Sequence, residues 1–261
     1  MLIVLEHDGH LWKRICIGLM ILSLTFSSGI KAQDSIVRTQ QDACCSGLSD
    51  CFFLPQGPVA LTSLAFGTST LFWDEAQRHN LFFQEQVQLW RRDNMDNVFL
   101  HFDNVTQYLP ATSMVALKLV GVPSKHGLWE IVRNEAVCYL SLAACVLPVK
   151  YGLALLRPDR SGYNSFPSGH TAISFAGAEM LRLEYGQTSV LIPIAGYTVA
   201  ALTGFLRVYN NCHWTGDVLA GIGIGILLAD FSYWLNDRLF DRRKEAMREC
   251  GNVGIWECVN L

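Results

Sequence analysis

A histidine and an aspartate stand four residues apart just beyond an uncharged stretch, as His213 and Asp217. Residues four apart share one face of a helix, so Asp217 can accept a hydrogen bond from one ring nitrogen of His213. That bond fixes the tautomer and makes the other nitrogen a better nucleophile. Such pairs also occur as surface pairs or core hydrogen bonds, but Arg207, six residues before His213, favours a reactive site.

Two cations interrupt another apolar segment, as Lys150 and Arg157. Seven residues make almost two helical turns, so we expect both side chains to project from one helix face. Pro158 disfavours helical backbone at Arg157, which predicts that the guanidinium lies at the helix end, facing a cleft. Because a buried charge is costly without a partner, this pair indicates a bound anion or another partner.

The segment Pro167-Ser168-Gly169-His170 leads into a further apolar stretch. We expect Ser168 to cap a helix that starts here, and Gly169 to let the backbone approach a ligand. The exposed N–H groups of a first helical turn form an anion site, and His170 would stand beside the anion. Helix starts of this kind are usually only structural, so this segment is a weak signal by itself.

These three segments resemble the motifs of the phosphatidic acid phosphatase type 2/haloperoxidase superfamily. The resemblance lies in their order along the chain, in the spacing of residues within each segment and in the distances between segments. They span residues 150–217, and the family's usual Ser before the arginine is replaced by Leu206. The resemblance implies a helical bundle and a phosphatase that needs neither a metal nor another cofactor, because cations do the work that magnesium does in other enzymes.

The resemblance also implies a role for each residue. His213 would attack phosphorus and become a phosphohistidine, with Asp217 orienting it, and His170 would act as general acid and later as general base. The residues that would hold the non-bridging oxygens are Lys150, Arg157, Ser168, Gly169 and Arg207. Fixed cations and N–H donors are what a phosphoryl-transfer transition state requires, since its charge is spread over three equatorial oxygens.

The elements that must position these residues are predicted to be helices, because no stretch shows sustained alternation of apolar and polar residues. Apolar stretches recur at 57–73, 107–121, 136–156, 170–182, 188–206 and 217–236. They predict an all-α fold, a single bundle with about six core helices. Residues 80–93 and 231–249 are amphipathic, which indicates packed helices with one solvated face more than membrane docking.

The composition narrows the class of protein. The chain has 51% hydrophobic, 11% aromatic and only 16% charged residues, which excludes a disordered protein. Its net charge is -3 and it has no basic stripe, which excludes a nucleic-acid binder. The stretches from Cys51 to Trp73 and from Tyr185 to Leu206 lack charge and are long enough to span a bilayer. Membrane association is expected, although the composition agrees both with a bundle in the membrane and with a soluble bundle that has a large core.

The two ends of the chain are interpreted separately. Lys13 and Arg14 precede an apolar run, which predicts a signal peptide over residues 1–32 with cleavage after Ala32; an uncleaved anchor is the alternative. A cysteine-containing segment, 33–56, follows, then the catalytic helical domain, 57–236, and a tail, 237–261. The terminal cysteines could form disulfides in an oxidising compartment, with no pairing deducible from sequence.

The segments 102–110 and 204–210 look like those of Bacteroidetes-type envelope phosphatases, a group that includes lipid A phosphatases. The resemblance implies removal of a phosphate from an envelope lipid, with lipid A favoured and undecaprenyl pyrophosphate or phosphatidylglycerophosphate as alternatives. A vanadium haloperoxidase and a non-enzymatic lipid- or anion-binding protein are less favoured. The expected location is the inner membrane with a periplasm-facing site, or the periplasm.

Overall fold

The computed structural model describes residues 57–76, 82–94 and 102–252, which form helices and connecting loops without a strand. The helices of these ranges are α1 (Gly57–Ala76), α2 (Phe82–Asn94), α3 (Asp103–Thr106), α4 (Leu109–Leu119), α5 (Leu128–Leu153), α6 (Gly169–Tyr185), α7 (Leu191–Tyr209) and α8 (Thr215–Asn252). The all-α prediction is confirmed, and the six apolar stretches correspond to α1 and α4 to α8. The predicted signal peptide and the segment 33–56 lie outside the described residues.

Helix α6 forms the centre of the bundle. It packs against α4, α5, α7 and α8, and most of its side chains are buried. Ala172, Ala176 and Met180 are fully buried within the main apolar core. A helix that is buried on nearly every side is held by its neighbours, so its first turn has a defined position at one end of the bundle.

Glycines on α8 allow it to fit closely between α1 and α6. A methyl group at Gly225 would lie 2.4 Å from the carbonyl oxygen of Ala172 on α6, and one at Gly223 would lie 2.5 Å from that of Ala60 on α1. Contacts this short require glycine, and small residues are what closely packed membrane helices use. The start of α8 is therefore held tightly against α6.

Among the residues that the structure describes, three helices are long and apolar enough to cross a membrane: α5, α7 and the Thr215–Phe240 part of α8. Only 22% of the most apolar window of α5 is buried, and Leu140 and Leu147 are exposed. Apolar faces of this length suit a lipid environment, which indicates an integral membrane protein. Of the two uncharged stretches, 185–206 falls largely in α7. The other, 51–73, overlaps α1, which is not among these three candidate spans.

Candidate active site

The residues singled out from the sequence come together at one end of the bundle. Lys150 lies in the last turn of α5, His170 in the first turn of α6, Arg207 in the last turn of α7 and Asp217 in the first turn of α8. Loops 154–168 and 210–214 close this end and are joined to each other. The Asp159 N–H donates to the Asn211 carbonyl at 3.1 Å, and the Trp214 indole N–H donates to the Leu156 carbonyl at 3.0 Å.

His213 is buried, and its Nδ1 lies 3.4 Å from Oδ2 of Asp217. The same oxygen accepts the backbone N–H of Trp214 at 2.9 Å and the hydroxyl of Ser165. The prediction that both residues share a helix face is wrong, because α8 begins only at Thr215 and His213 lies in the preceding loop. Asp217 closes that loop by accepting the Trp214 N–H, as an acidic residue in a first helical turn often does.

Lys150 and Arg157 have neutral hydrogen-bond partners. Lys150 Nζ donates to the Pro167 carbonyl at 2.9 Å, and Arg157 Nε donates to Oδ1 of Asn164 at 2.7 Å. The prediction that they share a helix face is wrong, because α5 ends at Leu153 and Ala154 is left-handed, with φ +46°. Arg157 lies in the loop instead, where its charge still acts on Lys150.

The start of α6 is formed by Ser168 and Gly169. Ser168 is the N-cap residue, as predicted, but its hydroxyl bonds to the Thr171 hydroxyl at 2.8 Å, so the predicted side-chain cap is absent. Its backbone N–H donates to the Asp217 carbonyl at 3.0 Å, which joins α6 to α8. A methyl group placed on Gly169 would meet no atom within 4 Å, so there is room for a ligand beside the first turn.

Arg207 and His170 each bond to a residue of α3. The buried Arg207 donates through NH1 to Oδ2 of Asp103, while its buried Nε has no hydrogen-bond partner in the described part of the chain. His170 Nε2 lies 3.0 Å from Oδ1 of Asn104. Spacing within the motifs did not identify Asp103 or Asn104; their segment was noted only for its resemblance to envelope phosphatases.

The site carries more positive than negative charge. Burial lowers the pKa of His213 to about 4, and burial, followed by the charge of Arg207, lowers the pKa of His170 to about 4. Both rings are therefore neutral at neutral pH. The charges that act on one or both rings are the cations of Lys150 and Arg207 and the carboxylates of Asp103 and Asp217, and the cation of Arg157 acts in turn on Lys150. The three cations exceed the two carboxylates by one positive charge, so the arrangement attracts an anion such as a phosphate group.

Within the described ranges, no group of three or more His, Cys, Asp or Glu side chains is arranged as metal ligands.

Residues 132–241 match the model of the PAP2 superfamily. Over these residues the chain is similar to the PAP2 superfamily. This match confirms the resemblance found in the sequence, and all the motif residues from 150 to 217 lie within the matched range.

Two relatives and one solved structure are similar to this chain. The lipid A 1-phosphatase of Porphyromonas gingivalis is 40% identical over 139 residues, which are 53% of this chain and 31% of that protein. Lipid phosphate phosphatase 2 of Arabidopsis thaliana is 40% identical over 85 residues, or 28% of this chain and 29% of that protein. The match thus spans about a third of either relative. The crystal structure of Aquifex aeolicus LpxE aligns with a TM-score of 0.48 and 20% identity, covering 59% of this chain and 96% of that one.

Proposed function

We propose that this protein is a metal-independent phosphatase that removes a phosphate from an envelope lipid, with lipid A favoured, through a phosphohistidine on His213. The observation that carries the proposal is a buried, neutral histidine, oriented by Asp217, that lies near the cations of Lys150 and Arg207 at one end of an apolar bundle. The similarity to two relatives, a lipid A 1-phosphatase and a lipid phosphate phosphatase, supports a lipid phosphate as substrate.

In the first step, Nε2 of His213 attacks phosphorus while Nδ1 faces Asp217. The bond between phosphorus and the leaving oxygen breaks, and its electron pair stays on that oxygen. His170 donates a proton to the oxygen, so the lipid departs as a neutral hydroxyl. Asp217 stabilises the positive charge that develops on the attacking ring, and its three hydrogen bonds keep it in place for this role.

The non-bridging oxygens are held by Lys150, Arg157, Arg207, the Ser168 hydroxyl and the Gly169 N–H. Their charges and dipoles are fixed before the reaction, so little reorganisation is needed when negative charge spreads over these oxygens. A bound phosphate dianion also raises the pKa of His170, because it offsets the Arg207 and Lys150 charges that lower it. Substrate binding thereby favours the protonated form that the general acid requires.

In the second step, His170 acts as a base and takes a proton from a water molecule, whose oxygen attacks phosphorus. The bond between phosphorus and Nε2 of His213 breaks, and inorganic phosphate leaves. His213 regains its neutral form, and His170 again carries the proton that it had in the substrate complex. Hydrolysis by this route consumes one water and one lipid phosphate and releases one lipid alcohol and one phosphate.

We further propose that residues 57–236 form the catalytic domain and that its site faces the periplasm. The apolar run with a cationic start over residues 1–32 supports export of the chain. The three candidate spans support a bundle held in the inner membrane, with the loops that carry the site at the membrane surface.

Phosphate release by the purified protein tests the activity, and mass spectrometry of cells tests the substrate. We expect the protein to release phosphate from lipid A, and cells without the gene to accumulate lipid A with one additional phosphate. Unchanged lipid A with altered undecaprenyl phosphates would reject lipid A as substrate. Binding of lipid phosphates without any release would reject the enzyme.

A further inference from the structure

The short helix α3 contacts the site although it precedes, in sequence, the range that matches the PAP2 superfamily. Asp103 is buried and accepts a hydrogen bond from Arg207, and the Thr203 hydroxyl donates to the Thr106 hydroxyl at 2.8 Å. Both partners belong to α7, so α3 is attached to α7 at two points, one of which is an arginine of the site. Asn104, between these two attachments, is thereby held at the site.

Asn104 is the hydrogen-bond partner of His170. Its Oδ1 lies 3.0 Å from Nε2 of the ring, and the ring has no other hydrogen-bond partner among the described residues. The charged or titratable groups that act on the ring come from every neighbouring element: Arg207 of α7, Asp103 of α3, Lys150 of α5 and His213 of the loop before α8. Asn104 is therefore the neutral group that fixes how the ring is turned.

We propose that Asn104 is the positioning residue for His170, as Asp217 is for His213. The inference rests on the proposed function, in which His170 transfers the proton. An amide oxygen can only accept a hydrogen bond, so Nε2 carries a proton and donates it to Asn104. Nδ1 is then the nitrogen that exchanges a proton with the leaving oxygen and afterwards with water.

The acceptor also sets how readily His170 is protonated. A hydrogen bond from a charged ring is stronger than one from a neutral ring, so Oδ1 favours the protonated form. Removing the acceptor lowers the pKa of His170, whereas a carboxylate at the same place raises it. A general acid must be protonated, and the alkaline limb of the kcat profile therefore moves with that pKa.

The test compares kcat against pH for the full-length protein in detergent micelles with a lipid monophosphate. Asn104→Ala should move the alkaline limb down by about one pH unit and lower kcat about tenfold at the wild-type optimum, as expected for loss of one hydrogen bond to a charged group. Asn104→Asp should move the limb upward. Val105→Ala, an exposed neighbour on α3, should leave the profile unchanged.

Opposite shifts for the two Asn104 variants would support the proposal, and shifts in one direction or none would overturn it. NMR titration of ring-labelled histidine, with His170 assigned by comparison with His170→Ala, gives a readout that does not depend on turnover. With inorganic phosphate bound, Asn104→Ala should lower the pKa of His170 about one unit. An unchanged pKa would reject the role of Asn104, whereas a wild-type protein that releases no phosphate would reject the proposed function alone.

Discussion

A histidine paired with a carboxylate lies near each end of α6, but the two pairs have different surroundings. At the end opposite the site, Nδ1 of His126 lies 2.8 Å from Glu184, which also accepts the Tyr233 hydroxyl at 2.7 Å and the His126 N–H at 3.0 Å. One further turn inward, Arg182 donates to both carboxylate oxygens of Glu179. With 17 residues, α6 separates the two ends by about 25 Å.

The difference lies in how the cations are paired. Arg182 has a carboxylate partner, whereas Lys150 and Arg157 bond to a neutral carbonyl and a neutral amide. Arg207 has Asp103 but keeps an unpartnered Nε within the described residues. A histidine–carboxylate pair is therefore insufficient to indicate a reactive site. Cations without carboxylate partners beside such a pair are the feature that calls for an anionic ligand.

The largest expected effect comes from replacing one cation at each end of α6, where the site variant should lose activity and the far-end variant should lose stability. Arg157→Gln should lower kcat/KM for phosphate release by about 10³-fold, because one fixed charge on the transferring phosphoryl group is lost. Arg182→Gln should instead lower stability, because it leaves Glu179 buried without its cation. Steady-state kinetics normalised to folded protein, with melting curves, measure both.

Arg160→Gln, an exposed arginine on the same loop as Arg157, serves as the matched control and should keep wild-type kinetics. Equal losses of kcat/KM from Arg157→Gln and Arg182→Gln would contradict the distinction between the two ends.

A methyl group added to a glycine should have opposite effects at the site and in the bundle. Gly169→Ala should leave the melting temperature unchanged but lower kcat/KM by about 10²-fold, because the methyl enters space that the phosphate needs and displaces it from the N–H donors. Gly225→Ala places a methyl against the Ala172 carbonyl and should destabilise the bundle by about 2 kcal/mol. A destabilised Gly169→Ala with normal kinetics would show that this space is not part of the site.

Weakening the pair at the far end should affect folding alone. Glu184→Gln removes the charge that accepts bonds from His126 and Tyr233, and should lower the free energy of unfolding by about 2 kcal/mol. The kcat of the remaining folded protein should stay at the wild-type value. A tenfold loss of kcat in this variant would mean that the far end takes part in catalysis.

The smallest expected effect concerns acid stability. Burial lowers the pKa of His213 from 6.5 to about 4, so the unfolded chain takes up a proton before the folded protein does. His213 therefore reduces stability as the pH falls from 6.5 toward 4, by about 1 to 2 kcal/mol between pH 6.5 and 5. His213→Asn should show a correspondingly smaller loss of melting temperature over this range. An identical pH dependence in both proteins would mean that His213 is not buried in its neutral form.

Local patterns predicted the helices well, because each apolar stretch is long and a buried helix such as α6 has few alternatives. They misplaced Arg157 and His213, because a left-handed Ala154 and the start of α8 at Thr215 depend on how the loops close. Spacing could not identify Asp103 or Asn104 as neighbours of Arg207 and His170, since 104 and 66 residues separate the partners. Such contacts depend on the packing of α3 against α7.

The most direct test of the account is to trap the phosphoenzyme. The full-length protein, mixed briefly with a radiolabelled lipid phosphate and quenched in base, should carry an acid-labile label on the peptide that contains His213. The label should persist in His126→Ala and be absent in His213→Ala, which should also lose turnover. Continued turnover in His213→Ala, or a label on any other residue, would contradict the account.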